Sequence, residues 1–202
     1  MLSRTKSPFL MKAVGAMALV AVTLFTFAAR PANAVGLGQP DVVVPDSPFI
    51  EAVRDGDMEV VNAAIVRGQS IDARDKTGTP AIFVALQFSQ NDMFKFLVEK
   101  GARVEVKDRE GATLLSLLAG TKLYDIASIV LKAGADPDRP GANREPPIII
   151  AARGGDAEMV KLLLDHDADY DATDLTGRTA LNIARERRFS GIVNALEAAG
   201  AR

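Results

Sequence analysis

Residues 174–184 read DLTGRTALNIA, and this stretch decides the fold because its features return along the chain at a fixed distance. A D-x-x-G turn is followed by a threonine and then by apolar residues at helical spacing. The Asp and Gly of the turn recur 33 residues apart, or at twice that distance, as Asp75, Asp108 and Asp174 with Gly78, Gly111 and Gly177. An internal period of this length predicts an array of stacked repeats.

Other positions keep the same period independently of this turn. A glycine closes most cycles, at Gly68, Gly101, Gly134 and Gly200, and an alanine follows it in the last three. Asp167 stands where the series requires the missing glycine. An aliphatic position recurs as Val60, Met93, Ile126, Met159 and Ile192. We therefore predict about five cycles, at roughly 42–74, 75–107, 108–140, 141–173 and 174–202.

Each cycle predicts a turn and two antiparallel helices. Ser, Thr or Pro opens the first helix, at Ser47-Pro48, Pro80, Thr113, Pro146-Pro147 and Thr179. A Gly or polar break then separates the two helices, at Gly56, Ser89, Lys122, Gly155 and Arg188. The second helix ends at the Gly-Ala pair, where glycine supplies the left-handed residue. Such a unit cannot bury its apolar face alone and must stack on its neighbours.

The period, the D-x-x-G turn and the Gly-Ala ending resemble the ankyrin repeat. The stretch at 147–164, PIIIAARGGDAEMVKLLL, carries the resemblance together with residues 174–184. The likeness extends over residues 46–202. It implies an all-α repeat solenoid of about five stacked helix-turn-helix repeats. It also implies short β-hairpin fingers along one edge and a concave groove that binds other proteins.

The sequence departs from the family pattern in three places. No cycle has the full T-P-L-H, and the position of its His reads Ile50, Phe83, Ser116, Ile149 and Asn182. We expect apolar packing at the two isoleucines. The fourth cycle has Gly141 and Arg144 in place of the Asp and Gly of the turn, so we expect an irregular finger there. Asp167 must adopt the left-handed conformation that Gly adopts elsewhere, or the helix end must change.

The first 34 residues predict a cleavable signal peptide. Arg4, Lys6 and Lys12 precede an uncharged run at 13–29, and Ala32-Asn33-Ala34 matches the A-x-A pattern of signal peptidase sites. We place the cut after Ala34 and interpret residues 35–45 as a linker. An uncleaved membrane anchor is the alternative, although the run is short for a spanning helix. The predicted location is the periplasm or the outside of the cell.

Composition excludes several classes of function. The chain has 24 Lys and Arg against 26 Asp and Glu, and the predicted signal holds four of the basic residues and no acidic one. The remaining 20 basic and 26 acidic groups give net −6, which disfavours nucleic-acid binding. The absence of Cys excludes disulfides and thiolate metal sites. We predict no cofactor.

Candidate chemistry is sparse. His166, the single histidine, lies between Asp165 and Asp167, and we interpret it as exposed rather than as a metal ligand. The aspartates at 136, 138, 169, 171 and 174 are expected in solvated turns. No nucleophile–base pair can be named, so we predict a protein that is not an enzyme.

The resemblance places a binding surface on the fingertips and on the ends of the first helices. The fingertip candidates are Lys76, Thr77, Thr79, Arg109, Glu110, Ala112, Ala142, Asn143, Glu145, Leu175, Thr176 and Arg178. The groove candidates are Arg54, Asp55, Gln87, Phe88, Gly120, Thr121, Arg153, Gly154, Glu186 and Arg187. Phe88 and Leu175 are the large apolar members. Phe88 with Arg54, Arg109 and Arg153 forms a candidate hot-spot row. Alternatively, Phe88 packs on Phe83 or Phe94 as part of the core.

The predicted function is a protein–protein binding module in the periplasm. It would regulate, inhibit or support an exported enzyme, for example a cell-wall hydrolase or a stress-defence enzyme. A structural scaffold or envelope-assembly factor is one alternative, and a secreted effector is another. We expect a monomer with a protein partner, no nucleic acid, and no membrane contact after signal cleavage.

Overall fold

The computed structural model describes residues 45–202. The predicted signal peptide and nearly all of the predicted linker lie outside the described residues. Within residues 45–202 there are ten α-helices, arranged in five pairs. The inner helices of the pairs are α1 Pro48–Asp55, α3 Ala81–Gln87, α5 Leu114–Leu118, α7 Pro147–Gly154 and α9 Ala180–Glu186. The outer helices are α2 Met58–Val66, α4 Asn91–Glu99, α6 Tyr124–Lys132, α8 Ala157–Leu164 and α10 Ser190–Ala199.

Each pair packs on the next, so the described part is an all-helical repeat solenoid, as predicted. Inner helices stack on inner helices, as α7 does on α9, and outer helices stack on outer helices, as α8 does on α10. One core runs through the stack and is built from the apolar positions of the repeat. The recurring aliphatic position is fully buried at Met159 and Ile192. Val60 is partly exposed, because no repeat within the described residues precedes the first cycle.

The inner helices begin where the sequence predicts. Ser47, Pro80, Thr113, Pro146 and Thr179 are their N-caps. Ser116 and Asn182, at the position of the family's His, complete capping boxes with Thr113 and Thr179. Ile50, Phe83 and Ile149 occupy the same position and are completely buried. A polar residue at this position thus caps its helix, whereas an apolar residue joins the core.

Asp167 adopts the left-handed conformation, and so do four of the five breaks between paired helices in residues 45–202. Asp167 has φ 63°, and Ser89 and Arg188 take positive φ at the break where Gly56 and Gly155 stand in other cycles. Lys122, at the same break, does not. In this cycle α5 ends early, at Leu118, and the Thr121 hydroxyl donates to the Leu118 carbonyl at 2.9 Å. Gly120 and Thr121 are poor helix formers, which explains the short helix.

The fingers are short antiparallel bridges, at Arg74–Pro80, Lys107–Thr113 and Thr173–Thr179. The fourth-cycle finger keeps the turn but has no such bridge among residues 45–202. Gly141 N–H donates to the Glu145 carbonyl, and Arg144 takes φ 58° where glycine stands in the other fingers. Pro147 has no N–H to make the bond that Ala81 N–H makes to the Ala73 carbonyl. This finger is therefore less irregular than expected. It keeps the turn hydrogen bond of the other fingers and lacks the second backbone hydrogen bond, which Pro147 cannot donate.

Candidate functional site

The concave surface is formed by the fingers and by the ends of the inner helices, and it holds most of the predicted site residues. Asp55, Gln87 and Arg187 lie at or just after the ends of α1, α3 and α9, and all three are exposed. Lys76, Thr77, Arg109, Glu110 and Leu175 are exposed on the fingers. Two fingertip candidates are corrected, because Thr79 and Ala112 are buried at the bases of their fingers.

Phe88 is on the surface, which favours the interface interpretation over the core one. Its side chain is 48% exposed, while Phe83 and Phe94 are completely buried without it. The guanidinium of Arg54 lies 5.1 Å from the centroid of the Phe88 ring. A cation at this distance from a ring face stabilises the arrangement. Arg54 and Phe88 therefore form one exposed unit across the first two cycles.

Arg54 is itself fixed by a buried carboxylate. Asp46 accepts a hydrogen bond from Arg54 Nη2 and another, at 2.9 Å, from the backbone N–H of Lys76. The Lys76 N–H bond and the Arg54 guanidinium hold the pKa of Asp46 below its ordinary value. Gln90 also donates to the Arg54 carbonyl at 3.0 Å. The contacts of Asp46 thus connect the start of the domain to the first finger.

A second charged network joins the last two cycles. Arg153 bonds Glu145 at 2.7 Å and lies 3.7 Å from Asp174, and Arg178 bonds both Asp174 and Glu186. The hydrogen bonds from the Thr176 hydroxyl and the Arg178 N–H hold the pKa of Asp174 far below its ordinary value. Asp174 was expected in a solvated turn, which is wrong, because its side chain is buried. Five hydrogen bonds that Thr176 and Arg178 donate to the Asp174 carboxylate compensate the buried charge.

These ion pairs follow a rule that the sequence contains but that was not recognised. Opposite charges eight residues apart pair in three cycles, as Asp46–Arg54, Glu145–Arg153 and Arg178–Glu186. The second and third cycles have uncharged residues at both positions, which are Thr79 with Gln87 and Ala112 with Gly120. Placing the charges on the 33-residue grid would have revealed these pairs.

A further ladder connects neighbouring repeats on the loops that follow the outer helices. The side chains of Asp72, Glu105 and Asp138 accept from the backbone N–H groups of Arg103, Asp136 and Asp169, respectively. Burial raises the pKa of Asp138, and the neighbouring Asp169 and Asp136 charges add to this. Asp138 was expected in a solvated turn and is half-buried. The ladder joins the loops of neighbouring repeats.

Nothing in the described residues forms a recognisable metal centre. Residues 45–202 contain no group of three or more His, Asp or Glu side chains placed to hold a metal ion. In the same range, no helix has the length and apolar character that crossing a membrane requires. The residues near His166 take part in helix termination, with Asp165 as the C-cap of α8 and Asp167 in the left-handed conformation.

Comparison with known proteins agrees with this architecture. A family model described as ankyrin repeats (3 copies) matches residues 49–141, and one described as ankyrin repeats (many copies) matches residues 130–184. The chain belongs to the ankyrin repeat family. An ankyrin repeat is a protein–protein interaction module, so the described domain is such a module.

Individual relatives match this chain over part of their own length. An ankyrin repeat-containing protein of Treponema pallidum (strain Nichols) is 31% identical over 138 residues, which are 68% of this chain and 46% of that protein. The E3 ubiquitin-protein ligase XBAT34 of Arabidopsis thaliana is 39% identical over 107 residues, or 51% of this chain and 28% of its own length. Neurogenic locus notch homolog protein 1 of Homo sapiens is 33% identical over 127 residues, which are 62% of this chain and 5% of that protein. The chain therefore spans less than half the length of each of these relatives.

Proposed function

We propose that this ankyrin-repeat protein is exported to the periplasm and binds an exported enzyme there through its concave groove. Binding would regulate, inhibit or support that enzyme, and the ankyrin protein itself would catalyse no reaction. The proposal of export depends on the basic start, the uncharged run and the A-x-A site of residues 1–34.

The binding role rests chiefly on Phe88. A large aromatic side chain that is half exposed, and fixed by Arg54 on a preorganised surface, has the character of an interface anchor. Leu175 is 73% exposed on the last finger, at the other end of the same concave surface. Arg109 lies on a finger between them and makes no ion pair within residues 45–202. These three residues belong to three different fingers or inner helices, so a partner that contacts all three would span most of the groove.

Export is tested by expressing the complete chain with a C-terminal tag in a Gram-negative host. We expect the tagged protein in the osmotic-shock fraction, with an intact mass that begins at Val35. An Ala32→Asp, Ala34→Asp variant should keep residues 1–34, because signal peptidase requires small residues at those sites. Wild-type protein of full precursor mass in the membrane fraction would favour the uncleaved anchor instead.

The binding role is tested by affinity capture from periplasmic extract. The bait is the exported protein, run beside a Phe88→Ala, Arg109→Ala, Leu175→Ala variant. We expect the wild type to retain one stoichiometric protein and the variant to lose it. If nothing is retained, a dedicated regulator is contradicted. If the partner appears in the growth medium with the protein, a secreted effector is favoured.

A further inference from the structure

The middle of the concave surface contains a recess of about 150 Å³. It lies between α5, the start of α7 and the fourth-cycle finger. Its walls include Ala112, Ser116, Leu117, Ala142 and Ile150. It is separate from Phe88 and Leu175, the two exposed apolar groups that the sequence predicted.

The recess exists because the smallest side chains of the repeat come together there. At the base of the finger, Ala112 aligns with Asp46, Thr79, Glu145 and Arg178. At the fingertip, Ala142 aligns with Lys76, Arg109 and Leu175.

The floor of the recess is the aliphatic side chain of Leu117, which is 36% exposed. At the same position of the repeat, Val84 and Ile183 are 1% and 2% exposed, and Ile150 is half-buried. Ala112 of the third cycle and Ala142 of the fourth are too short to cover Leu117. Solvent therefore contacts an apolar surface whose desolvation would favour binding.

The one charged group in the wall of the recess is paired within the protein. The nearest charged wall group, Glu145, is neutralised by Arg153, with Nη1 at 2.9 Å from the carboxylate. The other pairs of the groove, Asp46–Arg54 and Arg178–Glu186, lie in the first and last cycles. An uncharged apolar centre with a charged border is how the core and rim of a protein interface are arranged.

We propose that this recess receives one bulky apolar side chain, Phe or Leu, from an extended segment of the partner protein. Ala112, Leu117, Ala142 and Ile150 supply the apolar wall beside the polar Ser116, Asn143 and Glu145, and a volume of about 150 Å³ is enough for a benzene-sized group. A charged side chain would lose its hydration there, and the carboxylate in the wall, that of Glu145, is already paired with Arg153. The inference rests on the proposed function, because it describes how the partner is anchored in the groove.

The recess is tested directly with N-acetylphenylalanine amide as the probe. The exported protein is labelled on its methyl groups, and the probe is titrated while NMR shifts are followed. We expect saturable shifts of the Leu117 and Ile150 methyl resonances and none at Ile192, which lies in the buried core of the last cycle. N-acetylglutamine amide, which is polar and of similar length, should cause no saturable shift.

Two variants fill the recess with residues that the same positions hold in other cycles. Ala112→Thr copies Thr79, and Ala142→Leu copies Leu175, so neither should prevent folding. Each should weaken binding of the probe by about tenfold or more, since 1.4 kcal/mol of lost contact is tenfold in affinity. Lys76→Leu, the matched change on another finger, should leave the affinity for the probe unaltered. Equal probe affinity in filled and unfilled proteins would overturn the inference.

The captured partner separates this inference from the proposed function. If the partner binds the wild type and the filled variants equally, the recess is not its anchor site, although the binding role stands. If no partner is captured, the proposed function is contradicted. Saturable binding of the probe to the recess would in that case still support the recess as an apolar binding site. A partner that binds the filled variants at least tenfold more weakly supports both.

Discussion

The guanidinium of Arg54 lies 5.1 Å above the ring of Phe88 and is held there by the carboxylate of Asp46. One buried acid therefore controls the orientation of the most exposed aromatic group in the groove. The same carboxylate receives the N–H of Lys76, so it also connects the first finger to the start of the domain. These three contacts explain why a residue before the first helix matters to both stability and the binding surface.

Replacing Asp46 should destabilise the N-terminal end of the stack. Asp46→Ala removes two hydrogen-bond acceptors and leaves Arg54 without its partner, which should cost about 1–3 kcal/mol. The free energy of unfolding is measured by urea titration. Asp55→Ala removes an exposed acid from the end of the same helix and should change it by less than about 0.5 kcal/mol. Equal effects of the two substitutions would show that Asp46 does not have this role.

Stability should depend on pH through Asp174. Its pKa in the folded protein lies below the value of about 3.9 for an unfolded aspartate. The ionised carboxylate therefore stabilises the fold above pH 4, and this contribution is lost as the pH falls from about 4 through the folded pKa. Thermal melts of Asp174→Asn should be lower than wild type at pH 7, with a smaller difference near pH 3. A constant difference across this range would contradict the assigned ionisation.

Asp167 should be a site where glycine increases stability. Its φ of 63° is left-handed, and Gly68, Gly101, Gly134 and Gly200 adopt positive φ at the same position. Asp167→Gly removes the steric cost of the Cβ and should stabilise the protein by up to about 1 kcal/mol. Asp165→Gly, at a right-handed residue two positions earlier, should instead destabilise it. Chemical denaturation of the two variants in parallel decides between these outcomes.

Truncation of two leucines in the last two cycles should affect the stability of the protein to very different extents. Leu163 is completely buried in α8, and Leu163→Ala should cost about 2–5 kcal/mol through lost contacts and a cavity. Leu163→Asp should unfold the fourth cycle and uncouple its neighbours, because repeats depend on one another. Leu175→Ala, on an exposed finger, should leave the melting temperature nearly unchanged. A cooperative melt that Leu163→Asp does not alter would contradict the stacked architecture.

The repeat pattern predicts most of the fold because each helix is specified locally and the period repeats the specification. Caps at Ser47 and Thr179, and the left-handed Asp167, were readable from residue type and position. The early end of α5 could not be predicted in this way, because Lys122 has the residue type of an ordinary polar break between two helices. The burial of Asp174 was missed because it depends on Arg178 and on Arg153 from the previous cycle.

The candidate site was predictable only in outline. The repeat grid identified which positions are near the groove, but exposure at each position depends on its neighbours in space. Thr79 and Ala112 share a position with the half-buried Glu145, yet both are buried. Leu117 became part of the surface because residues at two other positions are small. Contacts between cycles, rather than the pattern within one cycle, decide these cases.

The most direct test of the account compares binding of the captured partner to matched concave and convex variants by isothermal titration calorimetry. The concave variant is Phe88→Ala, Arg109→Ala, Leu175→Ala. The convex variant is Glu99→Ala, Lys132→Ala, Glu158→Ala, which changes three exposed residues of outer helices. Hot-spot losses of about 2 kcal/mol or more predict that the concave variant binds the partner at least thirtyfold more weakly than the wild type. The convex variant should bind the partner with unchanged affinity. Unchanged affinity of the concave variant, with weaker binding by the convex one, would contradict recognition through the groove.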